Sequence, residues 1–181
     1  MALKATVCKV QLQIADMDRH YYADHSLTLA QHPSENNERL MVRLLAFALN
    51  ANETLGFTKG LSGSEDEAEL WDLGLDGVIA HWVEFGQVDE KWLRKACNRA
   101  KKVTLYCYGG RVVPVWWKAN SAALARYQNL TVIDIPEQAV ADMAKLFNRN
   151  MQIQCNISES QIWLSDATQS VLIEPEVLQQ G

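Results

Sequence analysis

Val78-Ile79-Ala80-His81-Trp82-Val83-Glu84-Phe85-Gly86-Gln87-Val88-Asp89-Glu90-Lys91-Trp92-Leu93 is the stretch whose reading decides the fold. Its first half, Val78 to Phe85, is apolar, of strand length and closed by a glycine. In a strand, Val78, Ala80, Trp82 and Glu84 point one way, and Ile79, His81, Val83 and Phe85 the other. From Asp89 the period changes. Asp89 can cap a helix running to about Lys101, whose buried stripe is Trp92, Leu93, Ala96, Cys97 and Ala100. Val103 to Tyr108 is then an apolar strand ended by Gly109-Gly110. Strand, helix and strand with short connections make the centre of an α/β domain, a mixed sheet flanked by helices.

Working outward towards the N-terminus, Leu70-Trp71 begins a strand, and Gly74 and Gly77 bracket a reversal into Val78. A short strand from Thr54 to Leu61, ending at Gly60, and an acidic loop, Ser64 to Glu69, come before it. Pro33-Ser34-Glu35 opens a helix that runs to about Asn50, with Ser34 as its cap. Residues 4 to 15 alternate as a strand, Asp16 to Arg19 turn, and Ser26 to Leu29 return, which gives a long hairpin. Towards the C-terminus, Pro114 starts a helix through Tyr127. Leu130 to Ile135 is a strand and Pro136 to Asn148 an amphipathic helix. Gln152 to Ile157, Ile162 to Leu164 and Ser170 to Ile173 are strands. The two terminal β-rich segments, about 3–31 and 150–175, are expected to pair as a second sheet beside a core of about 34–148, within a single domain over 1–181.

Composition sets limits on function. Over 181 residues the chain is 48% hydrophobic and 22% charged, which is ordinary globular usage. The apolar stretch Val112 to Trp117 is far too short to span a bilayer, so no membrane partner is expected. The N-terminus has no apolar leader, and Cys8, Cys97, Cys107 and Cys155 lie far apart without C-x-x-C pairs. They are expected to be reduced and buried, in a cytoplasmic protein. The net charge of -5 argues against a general nucleic-acid binder. It hides an asymmetry, because the segment from Lys91 to Ile133 has nine bases and no acid. The stretch 91–126, with Lys91, Arg94, Arg99 and Arg111, is either a solvated helix face or a surface that meets phosphate.

Three glutamates could carry chemistry. Glu38 sits three and four residues before Met41 and Val42 and seven before Leu45, on or beside the apolar face of its helix. It is either a first-turn partner of the helix dipole or a functional acid. Glu69 heads one core strand, and Glu84 lies near the end of the next, on a face shared with apolar residues. A buried carboxylate is costly unless it is paired or bound to a cation. Acids from neighbouring strand ends can converge on one magnesium ion, which takes hard oxygen ligands and retains waters. The histidines His20, His25, His32 and His81 are not at ligand spacing. Trp116-Trp117 reads as core rather than as a platform for bases.

The chain resembles the YaeQ family along essentially its whole length. The resemblance rests on Met1-Ala2-Leu3-Lys4-Ala5-Thr6, Ser26-Leu27-Thr28-Leu29-Ala30, His32-Pro33-Ser34-Glu35 with Glu38-Arg39, and Trp82-Val83-Glu84-Phe85-Gly86. It continues through Asp89-Glu90, Lys95-Ala96-Cys97, Trp116-Trp117 and Ile162-Trp163-Leu164-Ser165-Asp166. It implies a restriction-endonuclease-like fold, a variant of the PD-(D/E)XK nucleases. Ala68-Glu69 then stands at the Pro-Asp position, Glu84 at the second acid, and Glu38 at the helix acid. Gly86 stands where the pattern has lysine. Gln87 is adjacent, and Lys95 of the next helix is the better substitute because it borders the buried stripe. The activity so implied is a nuclease or phosphodiester hydrolase using Mg (or Mn) held by Glu69 and Glu84. The other readings are a nucleic-acid-binding domain without cleavage and a protein-interaction domain.

Overall fold

The structure is a computed structural model, and it describes residues 4–58 and 67–181. The expected strand end at Gly60-Leu61, the acidic loop from Ser64 to Asp66, and Met1 to Leu3 lie outside those residues. Among the described residues two β-sheets and four helices are formed. The strands are β1 (Thr6–Asp16), β2 (Tyr21–Gln31), β3 (Leu55–Phe57), β4 (Leu70–Leu73), β5 (Ile79–Phe85), β6 (Ala100–Cys107), β7 (Leu130–Asp134), β8 (Asn150–Ser158), β9 (Gln161–Ser165), β10 (Ser170–Ile173) and β11 (Glu176–Gln179). The helices are α1 (Asn37–Asn50), α2 (Glu90–Arg99), α3 (Val112–Leu124) and α4 (Glu137–Ala144). No helix among the described residues is long and apolar enough to cross a membrane.

Two compact units are present. The first comprises residues 1–48 and 138–175. Its sheet has the order β10-β9-β8-β1-β2, so the terminal segments do pair: β1 runs parallel to β8, with Leu12 opposite Ile153. Strict alternation makes this sheet two-faced. Val10, Leu12 and Ile14 of β1 and Met151, Ile153 and Cys155 of β8 are buried, while the residues between them face solvent or nearly so. Helix α1 lies against β2, where Phe47 meets His25 edge-on at 5.1 Å and an Arg43 amine donates to the Ala30 carbonyl.

The start of α1 differs from the sequence expectation. The cap is Asn36, whose Oδ1 accepts from the Arg39 amide, whereas Ser34 bonds to His32. Glu35 therefore precedes the helix, and its buried carboxylate receives Arg39 at 2.7 Å and Arg43 at 2.8 Å. Two guanidinium groups satisfy both oxygens, which is what a carboxylate out of water requires.

The second unit comprises residues 49–137 and 176–181. Its sheet has the order β11-β7-β6-β5-β4-β3, with β5, β6 and β7 parallel and the flanking pairs antiparallel. Beyond the last strand expected, Ser170 to Ile173, the chain returns to this sheet as β11 at Glu176 to Gln179. Under α2 and α3, one face of the sheet buries Trp82, Leu93, Val103, Leu105, Leu124, Leu130 and Val132. Each large aliphatic side chain buried there contributes roughly 1.5–3 kcal/mol. Asp89 caps α2 as expected, its Oδ1 accepting from the Lys91 amide at 2.7 Å.

The four cysteines are free and buried. Burial pushes the Cys97 thiol up to about 11 and those of Cys107 and Cys155 up to about 12. They are protonated small side chains at neutral pH.

Candidate functional site

Glu84 is, among the described residues, the buried acid of the second unit, 5% exposed near the end of β5. It shares a face with Trp82, whose indole N–H donates to its Oε1 at 2.7 Å. The Trp92 indole of α2 donates to the same oxygen at 2.8 Å. Trp82 packs edge-on against Trp92 and against Trp71 of β4, each at 5.9 Å between ring centroids. The carboxylate thus sits in an indole cage, where two N–H donors offset part of its desolvation.

A second acid, Glu69, immediately precedes the neighbouring strand. Leu70 pairs with Val83 and Trp71 with Trp82 in the antiparallel β4–β5 ladder. Glu69 and Glu84 each lie one residue beyond the last pair of that ladder, Glu69 in a bend before β4 and Glu84 within β5. Glu69 is half-buried. Cations come from α2: the Lys95 Nζ lies 5.3 Å from the Trp92 ring centroid, and the Arg99 guanidinium 5.3 Å from that of Trp82. Lys95 is half-buried while Lys91, Arg94 and Arg99 are exposed, so Lys95 borders the buried stripe as its helical position required.

The other candidates are placed differently. Glu38 belongs to the first unit, half-buried in the first turn of α1. Gln87 is exposed, and its amide donates to the Tyr108 carbonyl. With Arg111, Val112, Val115 and Trp116 it lines an open apolar cleft of about 490 Å³. Among the described residues, no group of three or more His, Cys, Asp or Glu side chains gathers as a metal cluster. His81 faces away from Glu84 and pairs through Nε2 with the Thr104 hydroxyl at 2.8 Å. Burial, with help from Lys102, lowers its pKa to about 4.

What sequence reasoning missed is the cage itself. Periodicity marks Trp92 as helix stripe and Trp82 as strand core. The signal available was their flanking of Glu84, at two residues before it and eight after it.

The family model described as YaeQ protein matches residues 1–175. The uncharacterized protein YaeQ of Salmonella typhi is 41% identical over 184 residues, covering 99% of each chain. That of Escherichia coli is 42% identical over 170 residues, covering 92% of this chain and 91% of its own. The crystal structure of YaeQ protein from Xanthomonas axonopodis pv. citri superposes with a TM-score of 0.95 at 46% identity, over 98% of this chain and 99% of that one. The YaeQ protein of Pseudomonas syringae gives 0.92 at 33% identity, over 98% and 97%. These relatives are bacterial, and at such coverage the chain belongs to the YaeQ family.

Proposed function

We propose that the chain is a divalent-cation-dependent phosphodiester hydrolase on a variant PD-(D/E)XK architecture. Glu69 and Glu84 are its acids, and Lys95 supplies the charge that Gly86 cannot. The observation that supports this reading is the β4–β5 ladder, which ends at the pair Leu70–Val83, next in the chain to Glu69 and Glu84, beside the helix that carries Lys95. The order of elements agrees with that architecture: α1, then antiparallel β3-β4-β5, then α2 and the parallel strand β6.

Two carboxylates fit a hard cation such as Mg or Mn that keeps several waters, and Glu69 and Glu84 would hold it. Such an ion would supply an acidified water and offset charge developing on the phosphoryl group. The chain's own residues orient and bind. The indoles of Trp82 and Trp92 fix the rotamer of Glu84. Lys95 would steer a phosphate, and the exposed Lys91, Arg94, Arg99 and Arg111 would follow a nucleic-acid backbone.

The test is cleavage of single-stranded and duplex DNA and RNA with Mg or Mn, comparing wild type with Glu69→Ala, Glu84→Gln and Lys95→Ala. Glu84→Gln keeps an oxygen for the two indoles and so preserves the packing. The expected result is divalent-dependent turnover that falls at least about 100-fold in each variant, in the range mutagenesis finds for a charge-stabilising group. Absence of turnover on all four substrates, or turnover indifferent to Glu84→Gln, overturns the proposal.

A second reading, binding of nucleic acid or protein without cleavage, is favoured by one observation. Glu84 is 5% exposed and one of its oxygens already accepts two N–H groups. It predicts affinity for nucleic acid that falls with salt and is accompanied by no turnover.

A further inference from the structure

The outward face of the first unit's sheet carries an unusual chemistry. Along β1 its positions include Lys9, Gln11 and Gln13, and along β8 they are Asn150, Gln152, Gln154, Asn156 and Ser158. The parallel register sets Gln11 beside Gln152 and Gln13 beside Gln154, so four glutamines form a square. On β2 the outward residues beside them are Ser26 and Asp24, and on β9 Ser165 faces Gln154. Lys9 and Asp24 are the only charged side chains at outward positions of the five strands. Solvated sheet faces ordinarily carry charges of both signs, lysine above all, which keep them soluble and unpaired. Amides and hydroxyls hydrate a face without giving it a sign of charge, and each offers both a donor and an acceptor.

Two further features belong to the same face. The glutamine square floors a groove of about 390 Å³, whose far wall is Ser165, Asp166 and Ala167. A second hollow of about 340 Å³ shares Gln152, Asp166 and Ala167 with it and leads on towards Lys145 and Asn148. The groove is therefore elongated. Its one carboxylate, Asp166, is occupied by the β9–β10 turn, accepting from the Thr168 and Gln169 amides. Aromatic rings flank the amides: Trp163 is 43% exposed and Tyr22 62%. Both lie in one cross-strand row, Tyr22–Ala15–Asn156–Trp163. Three strand spacings separate them, about 14 Å, roughly the length of two to three sugar rings. The small Ala15 leaves the floor between the aromatic pair low.

We propose that this face is a binding site for a neutral oligosaccharide, which lies in the glutamine-floored groove and stacks on Trp163. A sugar ring needs paired donors and acceptors in its plane and an apolar surface for its C–H face. Amides and an exposed indole supply these without the sign selectivity of a charged site. The site lies wholly in the first unit, so it stands or falls independently of the Glu69–Glu84 proposal.

The test uses the full ¹⁵N-labelled chain, titrated with maltohexaose, cellohexaose and chitohexaose, and with dextran sulfate as the anionic control. The readouts are the side-chain amide resonances of Gln11, Gln13, Gln152 and Gln154 and the Trp163 indole N–H. At least one hexaose is expected to move them saturably. Gln13→Ala with Gln154→Ala, or Trp163→Ala alone, is expected to weaken that binding about tenfold or more. These are solvent-facing positions, so unchanged backbone spectra verify that each variant folds. No movement at millimolar sugar overturns the proposal. So does equal movement by dextran sulfate, or movement that follows protein concentration alone and so reports a second copy on this face.

Discussion

Burial and Lys102 together hold the His81 imidazole at a pKa of about 4, so it is neutral through the range in which an unfolded histidine titrates. A lowered value means that the unfolded chain binds the extra proton first. Stability from this group is complete above about pH 6.5 and is lost as pH falls towards 4, by up to about 1.4 kcal/mol per unit. Urea midpoints measured between those limits are expected to fall less steeply in His81→Gln than in the wild type. Glu35 makes a sharper case. With its side chain wholly buried, its loss in Glu35→Ala leaves Arg43 in the interior without its counter-charge. The cost expected is about 3–5 kcal/mol, measurable by denaturant titration. The sequence pointed to Glu38 as the acid near the apolar face of α1, and the buried one is Glu35. The cap at Asn36 lies two residues beyond the expected Ser34, so Glu35 precedes the helix and turns inward while Glu38 falls in its first turn.

Helix α2 is the element that assembles the carboxylate site, since it carries Trp92, Lys95 and Arg99 on the face above β5. Its N-terminus depends on the Asp89 side chain, and Asp89→Ala should cost about 1 kcal/mol in a thermal or urea unfolding experiment. This cap and the helix stripe were legible in the sequence because they are local. Strand β11 was not legible. Four residues after Pro175 give too short an alternation to register, and what holds them is distant. The Gln179 amide donates to the Leu124, Tyr127 and Leu130 carbonyls, and the Gly181 amide to the Thr131 hydroxyl. The pairing also sets Glu176 directly opposite Asp134, whose carboxyl burial and Glu176 together push up. Replacing the repulsion by attraction in Glu176→Lys is expected to stabilise the fold by about 0.2–1 kcal/mol, read as a raised urea midpoint.

Across the whole molecule, charge is distributed by unit. The nine bases between Lys91 and Ile133 all fall in the second unit, whereas the outward sheet face of the first is nearly uncharged. If the second unit binds nucleic acid, the slope of log affinity against log salt should shrink by about two in a Lys91→Ala, Arg94→Ala double variant, one phosphate contact for each charge removed. The same double variant should leave sugar titrations of the first unit unchanged. By itself the sequence determined the kinds of elements and nearly all of their order. Alternation, helical periodicity, capping residues and glycine breaks act over a few neighbouring positions and need no partner to be read. Only the tertiary structure decided which partners those elements take. It sends the C-terminal strand to the second sheet, gathers two indoles onto one oxygen of Glu84, and aligns four glutamines from strands some 140 residues apart in the chain. A pattern of apolar and polar residues fixes which face turns inward, but it is silent on what waits there. That is settled by packing between segments whose separation along the chain carries no local signal.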